Sequence, residues 1–388
     1  MKEYVINLLK NNQFFYWLYS TIMNLFLGIL RIFIKVDEHV ILFNSFGGKK
    51  FDDSPKAIFE YMSNEEKYKE YKFYWGIDEP EKFIIKKAIV LKNNSLKYFM
   101  TALRAKYWIT NSSIERGLKF KNKKTIYINT WHGTAIKKIG FDMQEDEGVT
   151  LKVTEPDFYY AQSKYDIDIF SGAFRFPKEK ILLSGLPRND ELCYVKSERI
   201  DKIKQKLNIP LNKKVIMYAP TYREYERDKF GCILKPPVNL GEWRKQLSDK
   251  FVVLFRAHYE VNKALDIKND DFIKDMSNYE NLNELLIITD ILISDYSSIM
   301  IDYAILERPI FSYAYDYEKY NKKRGLYIDL EKELPNGYYK REDQILEAIK
   351  NCDYEEQKEK TNNFKQKYVQ VLGNASKYID NIIGGDKK

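Results

Sequence analysis

The spacing of hydrophobic and polar positions changes character once along the chain, near residue 37. Before it, the run NQFFYWLYSTIMNLFLGILRIFIKV (residues 12–36) is apolar for about the length a membrane span requires. At about 100° per residue, Lys10, Gln13, Ser20, Asn24, Arg31 and Lys35 fall in one narrow arc, shared only with Trp17 and Gly28. The pattern predicts a retained helix over residues 1–36, lying in the headgroup plane with Arg31 and Lys35 toward anionic lipid; a transmembrane span and a helix packed on the protein's own core are the alternatives. It carries no small-residue cleavage site of the kind a signal peptide shows.

Beyond Asp37, short apolar runs alternate with longer amphipathic ones. HVILFNSF, KFYWGI, AIVLK, AKYWITNSS, KTIYINTWHG, DFYYAQS and KILLSGLP read as buried strands, mostly followed by turn residues and a helical pattern such as DSPKAIFEYMSNEEKYKEY. A charged helical stretch, KSERIDKIKQKLNIP, leads to a second set: KKVIMYAPTY, FVVLFRAHY, DFIKDM, DILISDYSS and RPIFSYAY. Strand and helix in alternation mean βαβ units and parallel sheets. The expected organisation is α/β, with one Rossmann-like half at 37–200, a second at 201–375, a cleft between them, and a charged, frayed tail at 376–388.

Composition narrows the class without choosing a function. A chain of 388 residues with 31 Tyr, 17 Gly and 11 Pro is globular and long enough for two cores. The net charge of +8 is spread along the length, which suits an anionic partner: lipid, a phosphorylated substrate or nucleic acid. Cys193, Cys232 and Cys352 make neither a disulfide framework nor a CxxC metal site and suggest a reducing compartment. There is no GxxxxGK[ST], GxGxxG, HExxH or Cys/His cluster, so neither a metal nor a cofactor is expected.

Chemistry in open parallel sheets collects at the carboxyl ends of strands. One of the three histidines, His132, stands there in NTWHGT, where imidazole suits a general base near neutral pH and Gly133 allows a sharp turn; a turn histidine held by its neighbours is the bland alternative. In FRAHYE, Arg256 and His258 leave the strand on one face and would suit a phosphate. YAPTYRE adds Thr221 and Arg223. In SDYSSIMIDYAILERP, Ser294, Ser297 and Ser298 would form an anion cradle at a helix start with Asp302 reaching a ribose, although the same residues make a good capping sequence. His39 is read as structural, Asp166 and Asp168 as a solvated helix face, and the acidic run 142–148 as a loop near the cleft.

In that order, NTWHGT, LSGLPRND, YAPTYR, FRAH and SDYSSIMIDYAILERPI resemble the CDP-glycerol glycerophosphotransferase family of teichoic acid synthesis, over roughly residues 40–375. The resemblance implies a GT-B-like fold of two facing domains, an acceptor domain followed by a CDP-donor domain. It implies His132 as catalytic base and His258 as the second catalytic histidine, at the donor phosphates. Arg223, Arg256 and the Ser294, Asp295, Ser297 and Ser298 segment are implied donor contacts, with Asp302 for the ribose; Gly133, Thr134, Arg188 and Thr221 complete the expected donor set. The implied reaction moves glycerol phosphate from CDP-glycerol to a lipid-linked acceptor at the cytoplasmic face of the membrane, releasing CMP, with the protein bound peripherally. The chain's length is similar to that of the priming members, whose acceptor is the terminal N-acetylmannosamine of a disaccharide on undecaprenyl diphosphate. A CDP-ribitol or capsule/glycolipid member, a nucleotide-sugar GT-B glycosyltransferase and a nucleic-acid-binding protein remain as rivals, the last expected not to hold.

Overall fold

The computed structural model describes residues 12–143, 155–223, 236–257, 261, 265 and 267–385. His258 and the acidic residues 144–148 lie outside them.

Apolar runs buried on both faces build two parallel sheets. In the first, β1 (Asp37–Asn44), β2 (Lys72–Ile77), β3 (Ile89–Lys92), β4 (Ala105–Thr110), β5 (Ile126–Asn129), β6 (Phe158–Ala161) and β7 (Ile181–Leu183) are ordered β3-β2-β1-β4-β5-β6-β7. In the second, β8 (Lys214–Tyr218), β9 (Phe251–Phe255), β10 (Ile273–Asp275), β11 (Ile291–Ser294) and β12 (Ile310–Ser312) are ordered β10-β9-β8-β11-β12. Every strand falls on a run the sequence marks. Both β4 and β9 are buried along their whole length, as expected where helices cover both faces of a sheet. Trp75 and Trp108 fill the first half and Trp243 the second.

Strand order reverses between β1 and β4 in one sheet and between β8 and β11 in the other. Loops leaving neighbouring strands at such a point diverge to opposite faces and open a crevice. At this level Gly133, after β5, comes against Ser298, after β11.

The amino-terminal helix, Gln13–Phe33, is capped by Asn12, whose Oδ1 accepts from the amides of Phe14 and Phe15. Ser20, Asn24 and Arg31 of its polar stripe are not on the wet side, whereas Lys35 is exposed. Ser20 is buried, Asn24 accepts from the amide of Lys119 at 2.7 Å, and Arg31 donates to the carbonyl of Lys121 at 3.2 Å. Leu27 is buried beside them, among side chains of the helix Leu96–Arg104. Outward face Phe14, Trp17, Ile22, Leu25, Phe26, Ile29, Ile32 and Phe33, all exposed. The expectation that Arg31 points to lipid is therefore reversed, for a physical reason. Loop backbone groups need polar partners, and Asn24 and Arg31 supply two of them, while Ser20 Oγ donates to the Trp17 carbonyl of its own helix.

The end of the chain also departs from expectation. After the helix Tyr354–Tyr368, the backbone crosses to the first half, where the amides of Gln370 and Val371 donate to the carbonyl of Gln162 at 2.9 and 3.2 Å. Residues 376–385, expected to fray, form a 3₁₀ turn and the helix Ile379–Gly385. Ile379 and Ile383 enter the apolar cluster of Ile41, Ile58 and Trp75, and Asp380 accepts from Tyr61 at 2.8 Å.

Candidate active site

After β5 the chain turns through Trp131, whose φ of +50° is rare for a bulky side chain. The Asn129 side chain holds this turn: Oδ1 accepts from the Trp131 amide at 2.9 Å and Nδ2 donates to the Ser112 carbonyl at 2.8 Å. His132 follows, with Nδ1 3.0 Å from the carbonyl oxygen of Asn111. A carbonyl only accepts, so Nδ1 carries the hydrogen in the neutral ring and the Nε2 lone pair is left for chemistry. Trp131 stacks on the ring at 4.2 Å, and Phe46 approaches it at 6.1 Å between centroids. Part of the residue remains open to solvent, but these walls desolvate the ring and lower its pKa from 6.5, with Asn111 and Asp53 opposing. The imidazole is neutral at pH 7, the state a base requires.

Gly133 is one place where the halves meet closely. Its φ is +131°, and a Cβ there would lie 2.7 Å from Nη2 of Arg188 and 2.9 Å from Oγ of Ser298. No side chain fits.

Arg188, expected among the donor contacts, ties the two halves together instead. Nη1 donates to Asp53 at 2.9 Å and to the carbonyl of His132 at 2.8 Å; Nη2 donates to Asp302 at 2.5 Å. Asp302 receives Asn189 Nδ2 on its other oxygen at 2.8 Å and is buried. Each of its oxygens thus accepts a hydrogen bond from within the protein. Asp53 begins the helix Asp53–Asn64 at φ +65°, a strained start held by this ion pair.

Thr134 is likewise internal, donating to Asp166 at 3.1 Å and accepting from Gln162 Nε2 at 2.7 Å. Asp166, read as part of a solvated face, is buried, and burial pushes its carboxyl up to about 7; Asp168 alone is on the surface, paired with Lys178 at 2.5 Å. The helix Lys164–Phe174 turns one carboxylate in and the other out, as their spacing requires.

In the second half, Arg223 is enclosed. It donates to Asp295 at 2.6 Å and to both oxygens of Asp316 at 3.1 and 2.8 Å, with the rings of Tyr296, Tyr315 and Tyr320 around it. Its charge is balanced internally, so it is a structural arginine. Asp295 also accepts from the Thr221 amide at 3.0 Å. Arg256 differs: its Nη1 donates to the carbonyls of Met276 and Tyr279 at 2.7 and 2.8 Å, and it has no carboxylate partner among the described residues. Burial lowers its pKa, with the Asp52 carboxylate of the first half opposing. The buried Thr221 hydroxyl has no hydrogen-bond partner among the described residues.

In the SDYSS segment Ser298 stands at the N-cap of the next helix and makes no side-chain capping hydrogen bond. Ser294 Oγ is buried and donates to the Ala219 carbonyl at 2.7 Å, Ser297 Oγ accepts from the Ile299 amide at 3.3 Å, and the helix that follows, Ile299–Ala304, is short. Ser298 faces Gly133. Of the expected donor contacts, Arg256 has no carboxylate within salt-bridge distance and the Thr221 hydroxyl no hydrogen-bond partner among the described residues. Sequence reasoning passed over Asp53, Asn189 and Gln162; the DDSP start of a helix was a signal for the first, while nothing local marks the other two.

The family model of CDP-glycerol:poly(glycerophosphate) glycerophosphotransferases matches residues 27–384. The chain belongs to this family. A teichoic acid poly(glycerol phosphate) polymerase of Staphylococcus epidermidis is 38% identical over 376 residues, covering 91% of this chain and 52% of that one. One of Bacillus spizizenii is 34% identical over 391 residues, covering 94% of this chain and 98% of that one. The chain therefore spans about half of the first relative and nearly all of the second, so length does not set priming members apart. Among solved structures, that of the wall teichoic acid polymerase TagF superposes with a TM-score of 0.82 at 37% identity over 90% of each chain. A variant of that polymerase has also been solved after a soak with CDPG.

Proposed function

We propose that the chain transfers glycerol phosphate from CDP-glycerol to a hydroxyl of a lipid-linked teichoic acid acceptor, with His132 as general base. The observation that carries this reading is the bond from His132 Nδ1 to the Asn111 carbonyl, which leaves the Nε2 lone pair basic. In the proposed step, Nε2 takes the proton as the acceptor oxygen attacks the β-phosphorus; the bond from that phosphorus to the bridging oxygen breaks, and CMP leaves with the oxygen. Arg256, Ser298 and the Thr221 hydroxyl are assigned to the phosphate oxygens, with His258 as a further candidate from its motif. The outward apolar face of Gln13–Phe33 supports a monotopic seat on the cytoplasmic leaflet, where a lipid-linked acceptor is found.

Two acceptors are in play. The sequence-based expectation is the N-acetylmannosamine of the undecaprenyl-diphosphate disaccharide; the names of the relatives favour one that already bears glycerol phosphate. The test is to incubate the purified chain with CDP-glycerol or CDP-ribitol and each synthetic acceptor, and to follow CMP release and acceptor mass. Gain of glycerol phosphate, lost in His132→Ala, supports the reading. Consumption of neither donor on acceptors competent with a known family enzyme overturns it. An active His132→Ala variant overturns the base assignment alone.

A further inference from the structure

We infer that the turn after β1, Phe46–Lys50, is the subsite for the phosphate-bearing end of the acceptor, with Phe46 against its hydroxylated terminus and Lys49 and Lys50 on its phosphate. This rests on the glycerophosphotransfer reading above and gives the same site its second substrate.

The first observation is the position of Phe46. Its ring is half-buried, belongs to none of the apolar clusters of the core, and stands 6.1 Å from the His132 ring. Its backbone has φ +48°, which costs a non-glycine residue free energy that packing in a core does not return here. The turn is nevertheless fixed. The Phe46 amide donates to Asn111 Oδ1 at 2.8 Å, the Gly47 amide to Ser112 Oγ at 2.8 Å, and Asn93 Nδ2 to the Gly47 carbonyl at 2.8 Å. Asn111 therefore holds the imidazole with its carbonyl and the Phe46 backbone with its side chain. A ring kept rigid in strained backbone beside a base, and covered by nothing from the core, is placed for a substrate.

The second observation is charge. Lys50 Nζ lies 5.6 Å from the centre of the Phe46 ring. Lys49 and Lys50 are exposed and neither makes a salt bridge among the described residues, although the charge of Lys50 acts on the Asp52 carboxylate. Ammonium groups on flexible stems are effective point charges for phosphate. The donor-side candidates Thr221, Arg256 and Ser298 stand on other loops, after β8, β9 and β11.

The third is continuity with the amino-terminal helix. The loop that begins at Asn111 runs on to Gly117, where a Cβ would lie 2.3 Å from the Tyr16 hydroxyl, and to Lys119, whose amide is held by Asn24. One loop thus joins the imidazole to the helix whose apolar face is open. On this proposal, an anion tethered to lipid at that helix is taken up by the Lys49–Lys50 turn, whose Phe46 ring stands beside His132. The chemistry recognised is a phosphate diester or diphosphate ending in a hydroxylated sugar or polyol.

The test is steady-state kinetics of the full chain with Lys49→Ala/Lys50→Ala and, separately, Phe46→Leu, varying CDP-glycerol and two lipid-linked acceptors, with and without a terminal glycerol phosphate. The expected result is a rise of about tenfold or more in acceptor KM, a CDP-glycerol KM within about twofold of wild type, and a weaker dependence of acceptor KM on salt in the lysine variant. A rise confined to the glycerol-phosphate-ended acceptor assigns the lysines to the polyol phosphate; an equal rise with both assigns them to the lipid diphosphate. Because both lysines are exposed, their removal is expected to leave the thermal midpoint unchanged. A raised CDP-glycerol KM with an unchanged acceptor KM, or no change in either, overturns the subsite while leaving the transfer reaction standing. Failure of wild type itself to use CDP-glycerol overturns the functional reading, and the subsite with it.

Discussion

Arg188 donates to the backbone carbonyl of His132 at 2.8 Å while its two ends reach Asp53 in the first half and Asp302 in the second. The imidazole is thereby placed by the same guanidinium that joins the halves. Removing one member of such a buried group leaves unpaired charge, at a cost of about 3–5 kcal/mol. Arg188→Met is expected to lower stability by that order in urea unfolding and to depress turnover. The double variant Arg188→Met/Asp302→Asn should recover part of the stability; no recovery would mean that Asp302 is not the charge left stranded.

His132→Ala should reduce transfer by roughly 10²- to 10⁴-fold without a matching loss of stability. The base must be neutral to act, and desolvation holds its pKa below 6.5. The wild-type kcat/KM is therefore expected to be flat near neutral pH and to fall only as pH drops through a value below 6.5. An acid limb centred above 7 would contradict the desolvated ring.

Asp166 offers a test of opposite sign. Burial raises its carboxyl to about 7, whereas an unfolded aspartate titrates near 3.9. Between those values the folded chain holds a proton that the unfolded chain lacks. The contribution to stability is full below about pH 4 and is lost as pH rises through about 7. Measured against Asp166→Asn, the wild-type thermal midpoint should fall between pH 5 and pH 8; parallel profiles for the two proteins would refute the raised value.

The two sides of the amino-terminal helix should respond differently to substitution. Leu25 and Ile29 are exposed, so Leu25→Glu/Ile29→Glu is expected to abolish sedimentation with anionic vesicles while leaving the thermal midpoint in place. Leu27 is fully buried, and Leu27→Ala should cost about 2–5 kcal/mol of stability. Vesicle binding by the double glutamate variant equal to wild type would remove the case for this face as the membrane seat.

What could be seen in the sequence follows from the range of the forces involved. A strand buried on both faces leaves a continuous apolar run, so β4 and β9 were visible as AKYWIT and FVVLF. The position of His132 at a strand end was visible for the same reason. Whether an arginine at a strand end is free or already paired is decided by carboxylates far along the chain. Arg223 meets Asp295 and Asp316, Arg188 meets Asp53 and Asp302, and no local pattern separates them from Arg256. The stripe of Ser20, Asn24 and Arg31 was correctly seen as polar, but the side it faces depended on the backbone of residues 119–121.

The return of Ile379 and Ile383 to the cluster of Ile41, Ile58 and Trp75 makes this molecule's beginning depend on its end. During synthesis the first sheet emerges long before these two side chains exist, so the nascent first half must wait with part of its apolar interior unfilled. The order of manufacture and the order of completion are therefore opposite: the half made first is finished last, and a ribosome that stops short of residue 379 leaves behind an open core rather than a finished domain with a missing tail.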